Sequence, residues 1–220
     1  MNDGKRTGHG HIADVAYTSR SLTPYDVVLK IISGTFWGCP AERVVAFYNQ
    51  HVSGNHLDIG VGTGYFLDHC RFPTAKPRLT LMDSNQDPLD VAGARLGRYA
   101  PSTLRANIMA PIPFEGPKYD SVGMNHLIHC LPGKMQDKGK ALQNVKDLMN
   151  DGAVVFGATV LGKGVEHNLG GWIWLMHFNR KGVLDNIHDS HADLKAMLDE
   201  HFSRSSVDIV GRTALFAAWK

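Results

Sequence analysis

Three alternate glycines follow a short apolar segment in the stretch His56–Asp68, which reads HLDIGVGTGYFLD. Glycine at Gly60, Gly62 and Gly64 lets the backbone turn sharply and approach a ligand closely, because a Cβ atom would block both. A helix that begins after such a turn directs unpaired N–H groups toward the ligand. The stretch therefore predicts a small-molecule site, and the other elements are expected to form its walls.

Two common nucleotide-binding motifs do not fit this turn. The dinucleotide fingerprint G-x-G-x-x-G/A needs a small third residue for close packing of helix on strand. That place holds Tyr65 when the count starts at Gly60 and Leu67 when it starts at Gly62, and neither is small. A P-loop needs a G-K-[S/T] sequence, which does not follow here. The pattern that fits is [D/E]-x-G-x-G-x-G, with Asp58 as its acid.

With this pattern the chain resembles the class I S-adenosylmethionine (SAM) dependent methyltransferases. All four motif positions match, and the elements predicted around them extend the likeness over most of the chain. The resemblance implies a Rossmann-like α/β fold with a doubly wound seven-stranded sheet. That sheet would be mostly parallel with an antiparallel last strand, and helices would cover both faces. The cofactor would be SAM and its product S-adenosylhomocysteine (SAH).

The chain of 220 residues is long enough to bury a full core, and we expect a single methyltransferase domain over residues 1–220. Within it, an N-terminal lid and helices would occupy residues 1–50, and a SAM-binding core residues 55–160. A substrate cap would be inserted over residues 161–187. A last helix and a pair of strands, over residues 190–220, would close the sheet as in the family.

The second predicted strand, Arg78–Asp83, ends on an acid. Asp83 follows Gly60 at close to the spacing at which doubly wound folds place a carboxylate on a ribose. One ionised carboxylate can accept hydrogen bonds from both hydroxyls of a ribose diol. Capping of the next helix is the other interpretation of this acid. The family's ribose ligand stands at this place, so the resemblance favours the ribose role, with Ser84 contributing.

Residues after the third and fourth predicted strands complete the expected cofactor site. Many relatives carry an acid after the third strand that accepts from the adenine amino group; here Asn107 offers an uncharged amide oxygen. Ile108 would present its backbone N–H and an apolar face to the ring. Asn125 is expected to face the site, because ligands bind at the carboxyl ends of the strands near the switch point. Residues Met1–Ser21 are either a disordered tail or a lid, with Tyr17 as the contact to the cofactor.

His126 and His129, after the fourth strand, are the candidate catalytic residues. The SAM methyl group is already activated, so the protein needs mainly to hold donor and acceptor in line. A hydroxyl acceptor gains from a general base such as histidine, whereas an amine needs only its neutral form. For each histidine the other interpretation is a core residue hydrogen-bonded to backbone. No metal-binding cluster is predicted, so metal-assisted transfer is not expected.

Aromatic residues in two segments are candidates for the acceptor pocket. Residues 161–187 break the alternation of strand and helix and carry a Trp-rich run that includes Trp174 and His177. We expect a helical cap there that forms one wall of an apolar pocket, with a dimer interface as the alternative. Tyr25 and Trp37, in the N-terminal helices, either line the same pocket or belong to the core.

Charge and cysteine usage narrow the class of partner. The net charge of +2 arises from interspersed acids and bases, without a basic cluster of the kind that binds nucleic acid. No run of about 18 apolar residues predicts a membrane span. Cys39, Cys70 and Cys130 are scattered, which favours reduced thiols and a cytoplasmic setting over a disulfide framework and fits no zinc site. A small-molecule acceptor is therefore expected.

The sequence thus predicts a SAM-dependent methyltransferase of secondary metabolism that acts on a small, partly aromatic or apolar molecule, at nitrogen or oxygen. Absence of an N/D-P-P-Y run after the fourth strand supports a small acceptor, because that run marks many methylators of nucleic acid and protein. Two other functions stay open. One is a methyltransferase-fold enzyme repurposed for isomerisation or cyclisation, and the other is a regulatory protein that binds SAM.

Overall fold

The computed structural model describes residues 25–220 of the chain. Its strands are β1 (Asn55–Ile59), β2 (Arg78–Asp83), β3 (Ser102–Arg105), β4 (Tyr119–Gly123), β5 (Met149–Val160), β6 (Arg204–Val210) and β7 (Thr213–Trp219). They form a seven-stranded sheet in the order β3-β2-β1-β4-β5-β7-β6. The pairs from β3 to β5 are parallel, whereas β7 runs antiparallel to both β5 and β6. The predicted fold class is confirmed.

Helices lie on both faces of this sheet. They are α1 (Tyr25–Ile31), α2 (Ala41–His51), α3 (Tyr65–His69), α4 (Gln86–Arg95), α5 (Met135–Asp147), α6 (Leu169–Arg180) and α7 (His191–His201). A π-helix, Ile32–Phe36, continues α1, and short 3-10 turns occupy Gly97–Tyr99 and Ile128–Cys130. Side chains of α5 and α7 share one buried cluster, whereas those of α2 and α4 share another.

The strands separate these two cores by simple alternation. Successive side chains of a strand point to opposite faces. In β5, Val155 therefore joins the core under α5 and α7, while Val154 and Phe156 join the core under α2 and α4. Both faces of β5 are buried, in agreement with its continuous apolar sequence.

The sequence Asn-Asp-Gly predicts a turn over residues 150–152. That prediction is wrong, because these residues belong to β5. Between the pairs Tyr119↔Met149 and Ser121↔Val154, the register moves two positions along β4 and five along β5. Gly152 has a φ of 79°. A glycine with positive φ can absorb extra residues in a bulge, so Asn-Asp-Gly bends the strand instead of ending it.

The sequence also predicts that the first helix ends at Ser33-Gly34, because serine and glycine commonly mark such an end. The observed end lies farther along the chain. Ser33-Gly34 does not end the helical run, which continues as a π-helix to Phe36. The backbone N–H of Trp37 donates to the carbonyl of Ile32 at 3.0 Å, which closes this wider turn. Over residues 25–220, no helix is both long and apolar enough to cross a bilayer.

Candidate active site

The glycine turn lies between β1 and α3, and its three glycines have φ values of 70°, 53° and 73°. This left-handed region is costly for residues that carry a Cβ atom. A Cβ at Gly64 would lie 3.2 Å from side chains of α4, so this glycine allows close helix packing. A Cβ at Gly62 would meet nothing within 4 Å. It would project into open space, as expected where the backbone approaches a ligand.

One cavity brings together most of the residues predicted to bind the cofactor. It is lined by the turn and by residues at the carboxyl ends of β1, β2, β3 and β4. The predicted residues in its wall are Asp58, Gly60, Gly62, Gly64, Asp83, Ser84, Asn107, Ile108, Asn125 and His126. They meet because parallel strands present their carboxyl ends at one edge of the sheet.

Asp83, at the end of β2, is half-buried at the cavity wall. Its Oδ1 atom accepts a hydrogen bond from the backbone N–H of Asn85 at 3.0 Å. The cap of α4 is Asn85 itself, whose side chain accepts from the N–H of Asp87. The helix-capping interpretation of Asp83 is therefore not what the structure shows. Asn107, farther along the wall, accepts from the N–H of Met109 at 2.9 Å through its Oδ1 atom.

Two polar atoms in the cavity wall make no hydrogen bond to the described residues. They are Asn125 Nδ2 and His126 Nε2, both shielded from solvent. Buried polar atoms nearly always have a partner, so such a pair in a cavity indicates where a ligand would supply one. Together with the open side of Gly62, the Asn125 amide fits a polar organic cofactor such as SAM, and His126 Nε2 is available to a second ligand in the same cavity.

His126 is held in an unusual backbone conformation with a φ of 55°. Its N–H donates to the carbonyl of Ala158 at 2.7 Å, which fixes the residue against β5. The ring stacks on Phe66, with 5.7 Å between centroids. Burial lowers the pKa of His126 from 6.5 to about 4, so the ring is neutral at physiological pH. Strained residues of this kind often mark functional sites.

His129 does not line the cavity. Its Nδ1 atom accepts from the backbone N–H of Val160 at 3.0 Å and lies 3.3 Å from Thr159 Oγ1. Burial holds the pKa of His129 well below its usual value, and nearby His126 and Lys138 act in the same direction. The structure thus places His129 in the role of a core histidine bonded to backbone, which was the alternative interpretation.

Three residues predicted to bind the acceptor substrate, Trp37, Trp174 and His177, are not among the residues that line the cavity. The segment predicted to be a helical cap, residues 161–187, contains the helix α6. Trp37 is buried in a cluster with Leu175, and Trp174 packs against the same cluster. His177 is exposed. Cys130 contributes to both this cluster and the cavity wall, so the cluster supports the wall from behind.

Two predicted residues fall outside what the structure describes. Tyr17 lies outside residues 25–220, and the side chain of Tyr25 in α1 is not among those described. Another residue of α1, Leu29, does line the cavity. Asp26 of the same helix accepts from Thr63 Oγ1 of the glycine turn at 2.6 Å and from Arg95 Nη1 at 2.7 Å.

A buried hydrogen-bond network behind the turn was not predicted from the sequence. Tyr48 of α2 donates its hydroxyl hydrogen to Asp58 Oδ2 at 2.6 Å, and its oxygen lies 2.5 Å from His56 Nε2. His56 Nδ1 lies 2.8 Å from Ser121 Oγ. One signal was available, since His56 and Asp58 are two residues apart in a strand and must share a face. The contribution of α2 needed the tertiary structure.

Comparison with known proteins identifies the family. A methyltransferase-domain profile matches residues 57–155. Demethylluteothin O-methyltransferase of Streptomyces thioluteus is 39% identical over 204 residues, which cover 92% of this chain and 89% of that protein. The chain belongs to the class I SAM-dependent methyltransferase family. Methyltransferase aurB of Calcarisporium arbuscula is 36% identical, with 94% of this chain and 96% of the relative covered.

Solved structures support the methyltransferase fold. The DhpI–SAH complex superposes with a TM-score of 0.68 at 19% identity, and the alignment covers 97% of this chain and 98% of the other. PigF with SAH also gives a TM-score of 0.68, at 15% identity, covering 97% of this methyltransferase and 63% of PigF. The fold therefore persists at sequence identities that are too low to carry a substrate assignment.

Proposed function

We propose that this protein transfers the methyl group of SAM to an oxygen or nitrogen atom of a small, largely apolar molecule. The observation that carries the proposal is the composition of the cavity. Its wall combines the glycine turn and two acids, Asp58 and Asp83, with several apolar side chains and one neutral imidazole. Relatives include an N-methyltransferase of Penicillium aethiopicum as well as O-methyltransferases, so both acceptor atoms are considered.

Residues at the strand ends would hold the cofactor. Asp83 would accept hydrogen bonds from both ribose hydroxyls, and Ile108 would pack on the adenine ring. The backbone at Gly60–Gly64 would lie along the amino-acid portion, with Asp58 facing its ammonium group. When bound, SAM supplies an activated methyl group for in-line displacement by the acceptor's lone pair.

The acceptor side of the cavity would select an apolar ring or chain. Phe66, Leu127, Leu131 and Pro132 contribute to this wall, and Leu29 of α1 closes it from the N-terminal side. Such a surface excludes water and binds apolar groups without fixing their orientation. His126 then supplies the one polar group that would orient the reacting atom.

A neutral His126 suits this chemistry in two ways. It adds no positive charge beside a sulfonium cofactor, so it does not repel the cofactor. It also keeps a ring nitrogen that can take a proton from an acceptor hydroxyl or bond to an acceptor amine. The low pKa makes it a weak base, so we expect it to contribute chiefly by positioning and by taking the proton late in the transfer.

The test is turnover with a panel of small hydroxylated and amino aromatic compounds in the presence of SAM. Mass spectrometry should detect a methylated product together with an equal amount of SAH. The variant His126→Asn should lower transfer to a hydroxyl acceptor by about 100-fold, as expected for loss of a general base, while SAH affinity stays within about twofold. Consumption of SAM without a methylated product would contradict the proposal.

A further inference from the structure

Asp58, the acid of the glycine motif, is hydrogen-bonded to a network of buried polar side chains, and the other members of this network do not line the cavity. We propose that Tyr48, His56 and Ser121 are positioning residues, which hold the Asp58 carboxylate in a fixed orientation toward the ammonium group of the cofactor. The inference rests on the proposed function, because it needs SAM or SAH as the ligand of this cavity.

The geometry of the network is continuous. From Asp58 Oδ2 it runs 2.6 Å to the Tyr48 hydroxyl, 2.5 Å on to His56 Nε2, and then 2.8 Å from Nδ1 to Ser121 Oγ. Ser121 Oγ in turn lies 2.8 Å from Ser53 Oγ and accepts from the Ser53 backbone N–H at 2.9 Å. Tyr48, His56 and Ser121 are fully or almost fully buried, whereas Asp58 also lines the cavity. Only the acid end of the network therefore reaches the ligand.

The positions of the hydrogens in this network follow from the number of hydrogens that each side chain can donate. Tyr48 has one hydroxyl hydrogen, which it donates to Asp58 Oδ2. Its oxygen then has to accept the contact from His56, which fixes a hydrogen on Nε2 of the ring. Burial and the nearby Asp58 carboxylate hold the pKa of Tyr48 well above its ordinary value, so the phenol keeps its hydrogen. The hydrogen bond to Asp58 is therefore one from a neutral donor to a carboxylate.

A neutral donor leaves the charge of the carboxylate available. A buried carboxylate needs hydrogen bonds to remain ionised, and an arginine partner would satisfy it but also neutralise it. Asp68, just beyond the turn, shows that second arrangement, since Arg95 and Arg98 both donate to it. Asp58 instead has a phenol as its donor at 2.6 Å. This difference fits a charge reserved for a cationic ligand.

The neighbouring strand is shaped around the network, which is a second and independent observation. Gly123 of β4 pairs with Asp58 in the register. A Cβ at Gly123 would lie 2.5 Å from Asp58 Oδ2, 3.0 Å from the Tyr48 hydroxyl and 3.2 Å from His56 Nε2. The space that a side chain would take is occupied by the network, so its three groups are held against backbone. The Tyr48 ring also meets Phe156 edge-on, at 4.9 Å between centroids.

The experiment measures which part of the ligand loses binding affinity when the network is broken. Tyr48→Phe removes the hydroxyl and keeps the ring. Tyr119→Phe is the matched control, because Tyr119 is equally buried and its hydroxyl bonds to Thr80 Oγ1 at 2.9 Å, away from the cavity. Calorimetry with SAH and with 5′-methylthioadenosine, which lacks the amino-acid portion, separates the ammonium contact from the nucleoside contacts.

We expect Tyr48→Phe to weaken SAH binding by about tenfold, the size of a hydrogen bond to a charged group, and methylthioadenosine binding by less than about twofold. Ser121→Ala, at the far end of the network, should give a smaller loss with the same selectivity for SAH. Tyr119→Phe should change neither affinity. Equal losses for both ligands, or none, in a folded Tyr48→Phe protein would overturn the inference alone. Wild-type protein that binds neither ligand would overturn the proposed function and the inference with it.

Discussion

The floor and the roof of the cavity are built in different ways. The floor consists of the carboxyl ends of β1 and β4, and the polar groups of the network behind Asp58 are buried and hydrogen-bonded to one another. The roof consists of α1, whose Leu29 lines the cavity, and of α6, which packs on the π-helix that follows α1 through Trp174 and Phe36. Both helices expose large apolar side chains. Val27 is 63% exposed, Ile31 55% and Ile173 58%. Buried hydrogen bonds are thus concentrated beneath the glycine turn, whereas exposed apolar side chains lie on α1 and α6.

A small apolar cluster of Leu29, Ala41 and Tyr65 and a set of polar contacts attach α1 to the rest of the domain. Asp26 of α1 joins Thr63 of the turn and Arg95 of α4, and the Asp26 and Arg95 side chains are both partly exposed. Exposed ion pairs contribute at most about 1 kcal/mol, so the roof should open at small cost. The floor, by contrast, should open only when the domain unfolds. The following predictions test this difference.

The largest effect should come from the floor. Gly123→Ala forces a Cβ to within 2.5 Å of Asp58 Oδ2, and strand backbone cannot move away easily. We expect the free energy of unfolding to fall by about 3 kcal/mol, at the upper end for overpacking, as measured by urea titration. Gly62→Ala is the control. It meets no atom within 4 Å and costs only about 1–2 kcal/mol of backbone strain, but it should abolish SAH binding. Similar stability of Gly123→Ala and wild type would contradict the tight floor.

Asp83→Ala should affect binding strongly and stability little. Loss of two charge-assisted hydrogen bonds to the ribose should raise the SAH dissociation constant by about 100-fold, or about 2.7 kcal/mol. Asp90→Ala removes an exposed acid from the following helix, where it pairs with Gln86, and should leave the affinity unchanged. If Asp83→Ala bound SAH as well as wild type does, the ribose assignment would be wrong.

His126 should make the domain less stable in acid. Its pKa is 6.5 in the unfolded chain and about 4 in the fold, so the unfolded state takes up the proton first as pH falls. The resulting loss of stability begins below about pH 6.5 and is complete near pH 4. At pH 5 it amounts to about 2 kcal/mol relative to pH 8.

His126→Asn removes this titration and keeps a residue that tolerates a positive φ. Urea titrations at pH 8 and pH 5 should therefore show a drop in stability that is smaller by about 2 kcal/mol in the variant than in wild type. The buried His129 is present in both proteins, and because His126 also lowers its pKa, the difference between the two drops includes the coupling of these two rings. Equal drops in the two proteins would mean that the His126 ring is not shielded as described.

The smallest effect should come from the roof. Asp26→Ala removes the acceptor of both the Thr63 hydroxyl and the Arg95 guanidinium. Global stability should fall by less than about 1 kcal/mol, while the amides of α1 exchange faster with deuterium. Lys195→Ala breaks an exposed ion pair on α7 and should leave α1 exchange unchanged. A loss for Asp26→Ala as large as that of Gly123→Ala would remove the contrast between roof and floor.

Local sequence patterns were sufficient to select residues that line one cavity. Glycines at alternate positions, an acid at the end of β2 and an asparagine after β4 each follow a strand, and parallel strands bring such residues to one edge. The doubly wound seven-stranded sheet and its antiparallel last strand also follow from the family resemblance. Asn150–Gly152 has the sequence of a turn, because polar residues before glycine usually form one. Pairing of the neighbouring residues with β4 keeps this segment in the strand.

Contacts between distant elements could not be read from the sequence. Tyr48 looks like an ordinary apolar-face residue of α2, and only the packing of that helix on β1 brings its hydroxyl to Asp58. Trp174 shows the opposite case. An aromatic cluster can serve a pocket or a core equally well, and here it packs with Trp37 beside the cavity. Apolar composition alone does not distinguish these outcomes.

Isothermal titration of SAH into the purified protein tests the central claim most directly. The cavity with its glycine turn, Asp83 and Asn125 predicts one-to-one binding with a micromolar dissociation constant, or about −8 kcal/mol. Competition by SAM at the same site should follow. Absence of binding to protein that unfolds cooperatively in urea would contradict the assignment of this cavity to the cofactor, and with it the proposed methyl transfer.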